Sequence, residues 1–304
     1  MNPSNSLINL FCRYSGFMTL ACVVLLCVCA VCTADGLTPL ENPLGADSNQ
    51  GKYAALLSPG IKPGERKTVD VNGVQFAFRW CPAGTFMMGS PISQARRKGA
   101  EEPHLVTLTK GFWMMETEVT QQQWNAVMGY NPSGFKGGDL PVENVSRYDC
   151  QKFCKKCSEL GLPVQLPTEA QWEYACRAWS TTSYFWGNAL NGDKANCNGR
   201  FPWGTNVQGA FAGQTVPVGC YDPNAWGLYD MHGNVWEWCE DLFAAYSKEN
   251  VIDPIGESEY PDRVIRGGSW NYAASECRSE TRYGKSPKDR GKHLGFRGAI
   301  TIGN

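Results

Sequence analysis

Thiols and crowded carboxylates are the residues of this chain with chemistry to offer. Five of its 14 cysteines (Cys12, Cys22, Cys27, Cys29 and Cys32) fall in the first 34 residues. That leaves nine, an odd number, so internal pairing cannot use them all. Cys176, Cys239 and Cys277 each lie beside a dense aromatic or glycine-rich motif. Two readings are open for these three: one disulfide with a packed thiol left over, or a reactive thiolate. A thiolate needs partial exposure and nearby positive charge. Arg278, next to Cys277, is the candidate source.

The carboxylates crowd into "DMHGNVWEWCED", residues 230–241. If residues 234–238 are extended, Trp236 and Trp238 face one side and Val235 and Glu237 the other. The rings then anchor the segment to a core. The opposite side gathers the carboxylates of Asp230 and Glu237 with carbonyls freed by a turn at Gly233. Such a hard oxygen set suits Ca²⁺, which takes six to eight oxygen ligands. A solvated acidic turn is the plain alternative.

Regular elements must position these groups. "VDVNGVQFAF" has two alternating runs around Asn72-Gly73, a hairpin signal. Thr120 with Gln123, Ser146 with Asp149 and Thr168 with Gln171 each form a capping-box pattern, which predicts three helices. The first carries Trp124, Val127 and Met128. The second ends at Gly161 and carries Cys150, Phe153, Cys154, Cys157 and Leu160 on one stripe. Cys150-x3-Cys154-x2-Cys157 also has the spacing of an iron–sulfur ligand set in radical enzymes. Those thiolates need a wrapping loop, whereas buried cysteines on a helical stripe pack as small hydrophobes. The third helix is expected to bury Trp172, Ala175, Cys176 and Trp179. Beyond residue 180 glycine, proline and aromatic residues dominate, with short strand-like pieces such as "RVIRGG". That region needs pinning by something other than regular hydrogen-bond ladders.

The chain has 304 residues and a net charge of −1, which leaves no electrostatic footprint for nucleic acid. Residues 1–34 hold one charged residue, Arg13, and the apolar run "FMTLACVVLLCVCAVC" before Thr33-Ala34. They read as a signal peptide, or as an uncleaved anchor, the one route to a membrane. Either implies a secreted, periplasmic or cell-surface location where disulfides are permitted. Residues 35–66 read as a linker and 67–304 as one domain.

"CPAGTFMMGS" (81–90), "ETEVTQQQW" (116–124), "LPTEAQWEYACRA" (166–178), "GLYDMHGNVWEWCED" (227–241), "RVIRGGSW" (263–270) and "LGFRG" (294–298) occur in order. Together they resemble the formylglycine-generating enzyme, or sulfatase-modifying factor, superfamily over about residues 69–304. The resemblance implies an α+β fold with little regular secondary structure, a variant of the C-type lectin-like fold, stabilised by calcium. It places one calcium ion on the side chains of Asp230 and Glu237 with the carbonyls of Gly233 and Val235. A second site would use Asn196 and the Cys197 carbonyl, although its acidic ligand is missing from "NVQGAFAG" (206–213).

Enzymes of that family oxidise a sulfatase cysteine to formylglycine with O₂, using two cysteines five residues apart that bind Cu⁺. Paired soft thiolates select that ion. In "GGSWNYAASECRSETR" the second position is Cys277 and the first is Tyr272, which offers no thiolate. Ser269 and Trp236 match other active-site positions. The C-terminal partners of the family's disulfides fall on Arg282 and Gly298. His104, His232 and His293 are too scattered for a facial metal triad. Two functions follow. One is a calcium-stabilised binding or accessory protein without standard formylglycine chemistry. Its protein, peptide or glycan ligand would meet a face near 269–293, with Tyr272, Glu276, Tyr283, Lys285 and His293. The other is an oxidase of the family type, with Cys277 as copper ligand or redox thiol, Ser269 beside it and Trp236 lining the site.

Overall fold

The computed structural model describes residues 53–91, 94 and 100–303; the expected leader and residues 35–52 of the expected linker lie outside them. In chain order, strands β1 (Arg66–Val71), β2 (Val74–Cys81), β3 (Gly84–Met88), β4 (His104–Leu108) and β5 (Phe112–Met115) come first. Helices α1 (Gln121–Met128), α2 (Arg147–Glu159) and α3 (Glu169–Arg177) follow. Then come β6 (Trp236–Leu242), β7 (Val251–Ile252), β8 (Arg263–Arg266), β9 (Arg282–Lys285), β10 (Leu294–Gly295) and β11 (Ala299–Thr301). The strands form three small sheets, ordered β1-β2-β5-β11, β10-β6-β8-β9 and β3-β4-β7. β10 with β6 and β4 with β7 are parallel; the other pairs are antiparallel.

Local chemistry explains the regular parts. Asn72 and Gly73 both take positive φ, 53° and 83°, the left-handed pair a two-residue hairpin turn requires between β1 and β2. All three capping boxes are made: Thr120, Ser146 and Thr168 each accept from the backbone N–H three residues on. α2 buries Cys150, Phe153, Cys154 and Cys157 and is followed by Gly161 at φ 89°. α3 departs from expectation at its end. Ala178 and Trp179 turn left-handed, so Trp179 leaves the buried stripe and stands 64% exposed.

The main core joins Trp113, Trp124, Phe153, Trp236, Trp238 and Phe296. Tyr53 and Leu56 are also buried in it, so the last part of the expected linker packs with the domain. A second cluster centres on Trp172, Tyr174, Cys176, Trp226 and Cys239.

Buried arginines pin the irregular C-terminal half. Arg266 is fully buried and donates to the carbonyls of Ser279 (2.9 Å), Glu280 (3.0 Å) and Thr281 (2.9 Å). It also pairs with Glu173, whose other oxygen meets Arg177 at 2.8 Å. Arg282 grips both oxygens of Glu169 at 2.7 and 2.6 Å. Each guanidinium offers several fixed donors, so one side chain can satisfy carbonyls from a loop without a ladder.

Candidate functional site

Cys277 ends a 3-10 turn, Ala274–Cys277, just after the glycine pair of "RGGSW". Gly268 has φ 75°, and a Cβ there would stand 2.5 Å from the Cys277 sulfur. A side chain at 268 would therefore keep the loop from closing on the thiol. It does close: Cys277 is fully buried. The Ser269 main-chain N–H reaches the thiol, while the Ser269 hydroxyl donates to Asn271 at 2.8 Å. Tyr272 sets its ring edge-on to Trp236 at 5.5 Å and 5.7 Å from His293. Ser269 and Cys277 thus meet, and Trp236 joins them through Tyr272.

The sulfur environment corrects two expectations. No disulfide joins any of the nine cysteines among the described residues. Cys176 sits against His232 and the Met231 carbonyl, and Cys239 is buried near the Glu237 carbonyl. Neither partners Cys277, which shares a small apolar cluster with Cys197 and donates to the Ala273 carbonyl at 3.9 Å. Cys197 and then burial push the Cys277 thiol well above its ordinary pKa. Arg278 does not activate it. The guanidinium pairs with Glu101 at 2.9 Å and Glu280 at 2.8 Å and lies over the Trp203 ring. A reactive thiolate needs the reverse of this environment.

The acidic stretch alternates as expected, but both of its faces are buried. Trp236 and Trp238 enter the main core, and Trp238 donates to the Val145 carbonyl at 3.1 Å. Glu237 faces Arg297, which holds its two oxygens at 2.7 and 2.8 Å, with the Trp172 indole N–H at 2.8 Å. Its carboxylate is therefore the counter-ion of Arg297. Asp230, at φ 55°, accepts the Gly219 N–H at 2.6 Å. Asn234 fastens loops: its side-chain oxygen accepts from Asn196 and from the Val216 N–H, both at 3.1 Å. Asn196 also donates to the Gln214 carbonyl at 3.0 Å.

Beside Asp230 lies Glu118, which sequence reasoning passed over inside "ETEVT". It is fully buried, and neither of its oxygens has a hydrogen-bond partner. Burial raises its pKa well above the ordinary value, and Asp230 raises it further. Glu118, Asp230 and Glu237 set three carboxyls against the one guanidinium of Arg297. An interior cannot hold that surplus negative charge without protons or a cation. The donor set fits a hard cation at Asp230 and Glu118. Among the described residues no three acidic, histidine or cysteine side chains form a metal-ligating group, so main-chain carbonyls would have to complete the shell.

A cleft of about 1160 Å³ opens between Thr181–Asn188, Arg200–Gln208 and Ala273–Ser275. Phe201, Trp203, Arg200, Asn188, Asn206 and Gln208 face it, and Phe201 is 62% exposed. Of the expected face at 269–293, only Ala273 and Ser275 line this cleft. Tyr272, Tyr283 and His293 gather instead around Trp236, Lys285 approaches Asp289 at 3.8 Å, and Glu276 lies by Ser275. No helix among the described residues is long and apolar enough to cross a membrane.

Residues 73–302 match the family described as "Sulfatase-modifying factor enzyme 1-like domain". The formylglycine-generating enzyme of Mus musculus is 34% identical over 301 residues, covering 79% of this chain and 78% of that protein. The inactive C-alpha-formylglycine-generating enzyme 2 of the same organism is 35% identical over 173 residues, or 54% of this chain and 50% of its own. Among solved structures, Treponema denticola variable protein 1 superposes with a TM-score of 0.67 and 29% identity, over 77% of this chain and 98% of its own. The architecture is the formylglycine-generating-enzyme variant of the C-type lectin-like fold. This chain belongs to the sulfatase-modifying factor enzyme 1-like family, whose named members include an enzyme and an inactive relative.

Proposed function

We propose that the chain is an exported, calcium-stabilised binding or accessory protein that does not carry out standard formylglycine chemistry. The observation that carries this reading is the state of Cys277. Its thiol is sealed from solvent, with Tyr272 where the family's copper site needs a second cysteine. Copper(I) chemistry needs two soft thiolates and an approach for the substrate thiol. A buried thiol held in its neutral form offers neither. The cleft beside it supplies a binding surface of aromatic, amide and hydroxyl groups suited to a peptide or glycan.

Calcium in this reading is held by the carboxylates of Asp230 and Glu118, with the carbonyls of Gly233 and Val235. When bound it would neutralise buried carboxyl charge and tie "ETEVT" to the 230–235 turn. Glu237 contributes by holding Arg297 beside the site.

Purified protein is incubated with Cu⁺, O₂ and a Cys-x-Pro-x-Arg peptide, and mass spectrometry looks for aldehyde. No aldehyde is expected. Its formation, lost on Cys277→Ala, establishes the oxidase reading. That second reading is favoured by the 34% identity to the Mus musculus enzyme over most of both chains.

A further inference from the structure

Cys197 and Cys277 are far apart in sequence (277 − 197 = 80), yet the backbone brings their segments together. The Asn198 N–H donates to the Tyr272 carbonyl at 2.8 Å, and Asn198 bridges to Ala273 in parallel register. The Ala274 N–H donates to the Phe201 carbonyl at 3.1 Å. Both cysteines are buried in one small apolar cluster with Tyr184, Leu190, Ala195 and Ala274. Among the described residues no other cysteine belongs to it. The Cys197 thiol is close enough to raise the pKa of the Cys277 thiol.

We propose that Cys197 and Cys277 are a disulfide pair that fastens the Arg200–Gln208 wall of the cleft to its Ala273–Ser275 wall. The bond forms by exchange with a disulfide oxidant of the glutathione class. One cysteine thiolate attacks a sulfur of the oxidant, giving a mixed disulfide and expelling one thiol. The second cysteine loses its proton, attacks the mixed disulfide and expels the other thiol. The protein loses two protons and two electrons, and the oxidant is reduced to two thiols. Exchange belongs to folding, before the cluster closes, because the finished site excludes both oxidant and base. Once made, the bond lies out of reach of reductant. It also takes Cys277 out of metal chemistry. Its presence in the cell rests on the export reading above, but its formation in a redox buffer does not, so the two can fail separately.

The sequence makes the test direct. Trypsin releases Cys197 in the peptide 195–200 and Cys277 in the peptide 267–278, each with a single cysteine. The full chain is folded in a glutathione redox buffer, alkylated in denaturant and digested without reductant. The expected product is these two peptides joined, lighter by two hydrogens than their sum. Alkylation of both cysteines in folded protein overturns the proposal, as does a link from either to Cys220, the exposed thiol. Cys197→Ser, Cys277→Ser and the double variant guard against a folding artefact. A disulfide closing so long a loop raises Tm by roughly 5–15 °C. Each single variant and the double should lose the same amount. Denaturing reductant pretreatment should lower Tm of the parent alone. Losses that add in the double variant overturn the bond.

Discussion

Glu118→Gln separates a bound cation from a merely protonated acid cluster. Glu118 is buried with two unpartnered oxygens beside Asp230. If calcium sits there, the substitution removes a charged ligand. An ion present at a hundred times its dissociation constant stabilises the fold by about 2.7 kcal/mol. For a domain of this size each kcal/mol moves Tm by roughly 2–4 °C. Loss of the site should therefore lower Tm by roughly 5–10 °C in saturating calcium. Excess chelator should lower the parent protein equally and leave the variant unmoved. Without a cation, Glu118 must carry its proton. Glutamine then replaces a neutral group of similar shape and Tm should hold or rise. The two accounts differ in sign, and scanning fluorimetry with and without calcium reads the difference. A variant at least as stable as the parent, together with no chelator response, refutes the calcium site. Glu237 cannot serve this purpose. Its loss strands Arg297 in the core with or without an ion.

Glu237→Gln should cost about 3–5 kcal/mol by urea titration even in calcium-free buffer, because Arg297 is left buried and uncompensated. Acid should unfold the protein through Glu173. Burial alone would raise the Glu173 pKa, but Arg177 and Arg266 outweigh it and hold the carboxyl below its ordinary 4.5. A carboxyl depressed in the fold contributes its full stability above pH 4.5 and loses it as pH falls through the lower folded value. Glu173→Gln should therefore flatten the acid limb of a stability–pH curve. Gly268→Ala adds a Cβ at φ 75° and 2.5 Å from the Cys277 sulfur. It should lower Tm by several degrees or, in protein kept reduced, expose the thiol to Ellman's reagent without denaturant.

Much of the framework was legible because its signals are local. The three capping boxes, the Asn72-Gly73 turn and the α2 stripe are each contained within a few neighbouring residues. The failures are long-range. Nothing near Cys277 announces Cys197, and nothing in "ETEVT" says that Glu118 reaches Asp230 with no donor of its own. Arg278 looked like an activating charge because it is adjacent, but it turns to Glu101, far back in the chain. The recurrent arginines of "YACRA", "RVIRGG", "SETR" and "LGFRG" were the available signal for the buried ion network. Charged residues default to the surface in sequence reasoning, so that signal went unread.

That network also occupies one of two positions at which the resemblance implies disulfide partners. The resemblance puts the C-terminal partners of the family's disulfides at Arg282 and Gly298. Arg282 binds Glu169 at the start of α3 through two short charge-assisted bonds and donates to the Ala244 carbonyl at 2.6 Å. Gly298 lets its strand approach so closely that a Cβ would lie 2.3 Å from a Val164 methyl. One position thus holds a bidentate ion pair, and the other packs closely against the segment leading to α3. A buried ion pair penalises the loss of either partner more than it rewards the intact pair. The arrangement therefore specifies one geometry for the Arg266–Arg282 region while adding little net stability. The net stabilisation comes instead from apolar burial in the two large clusters around Trp124 and Trp172, which the ion network holds in register.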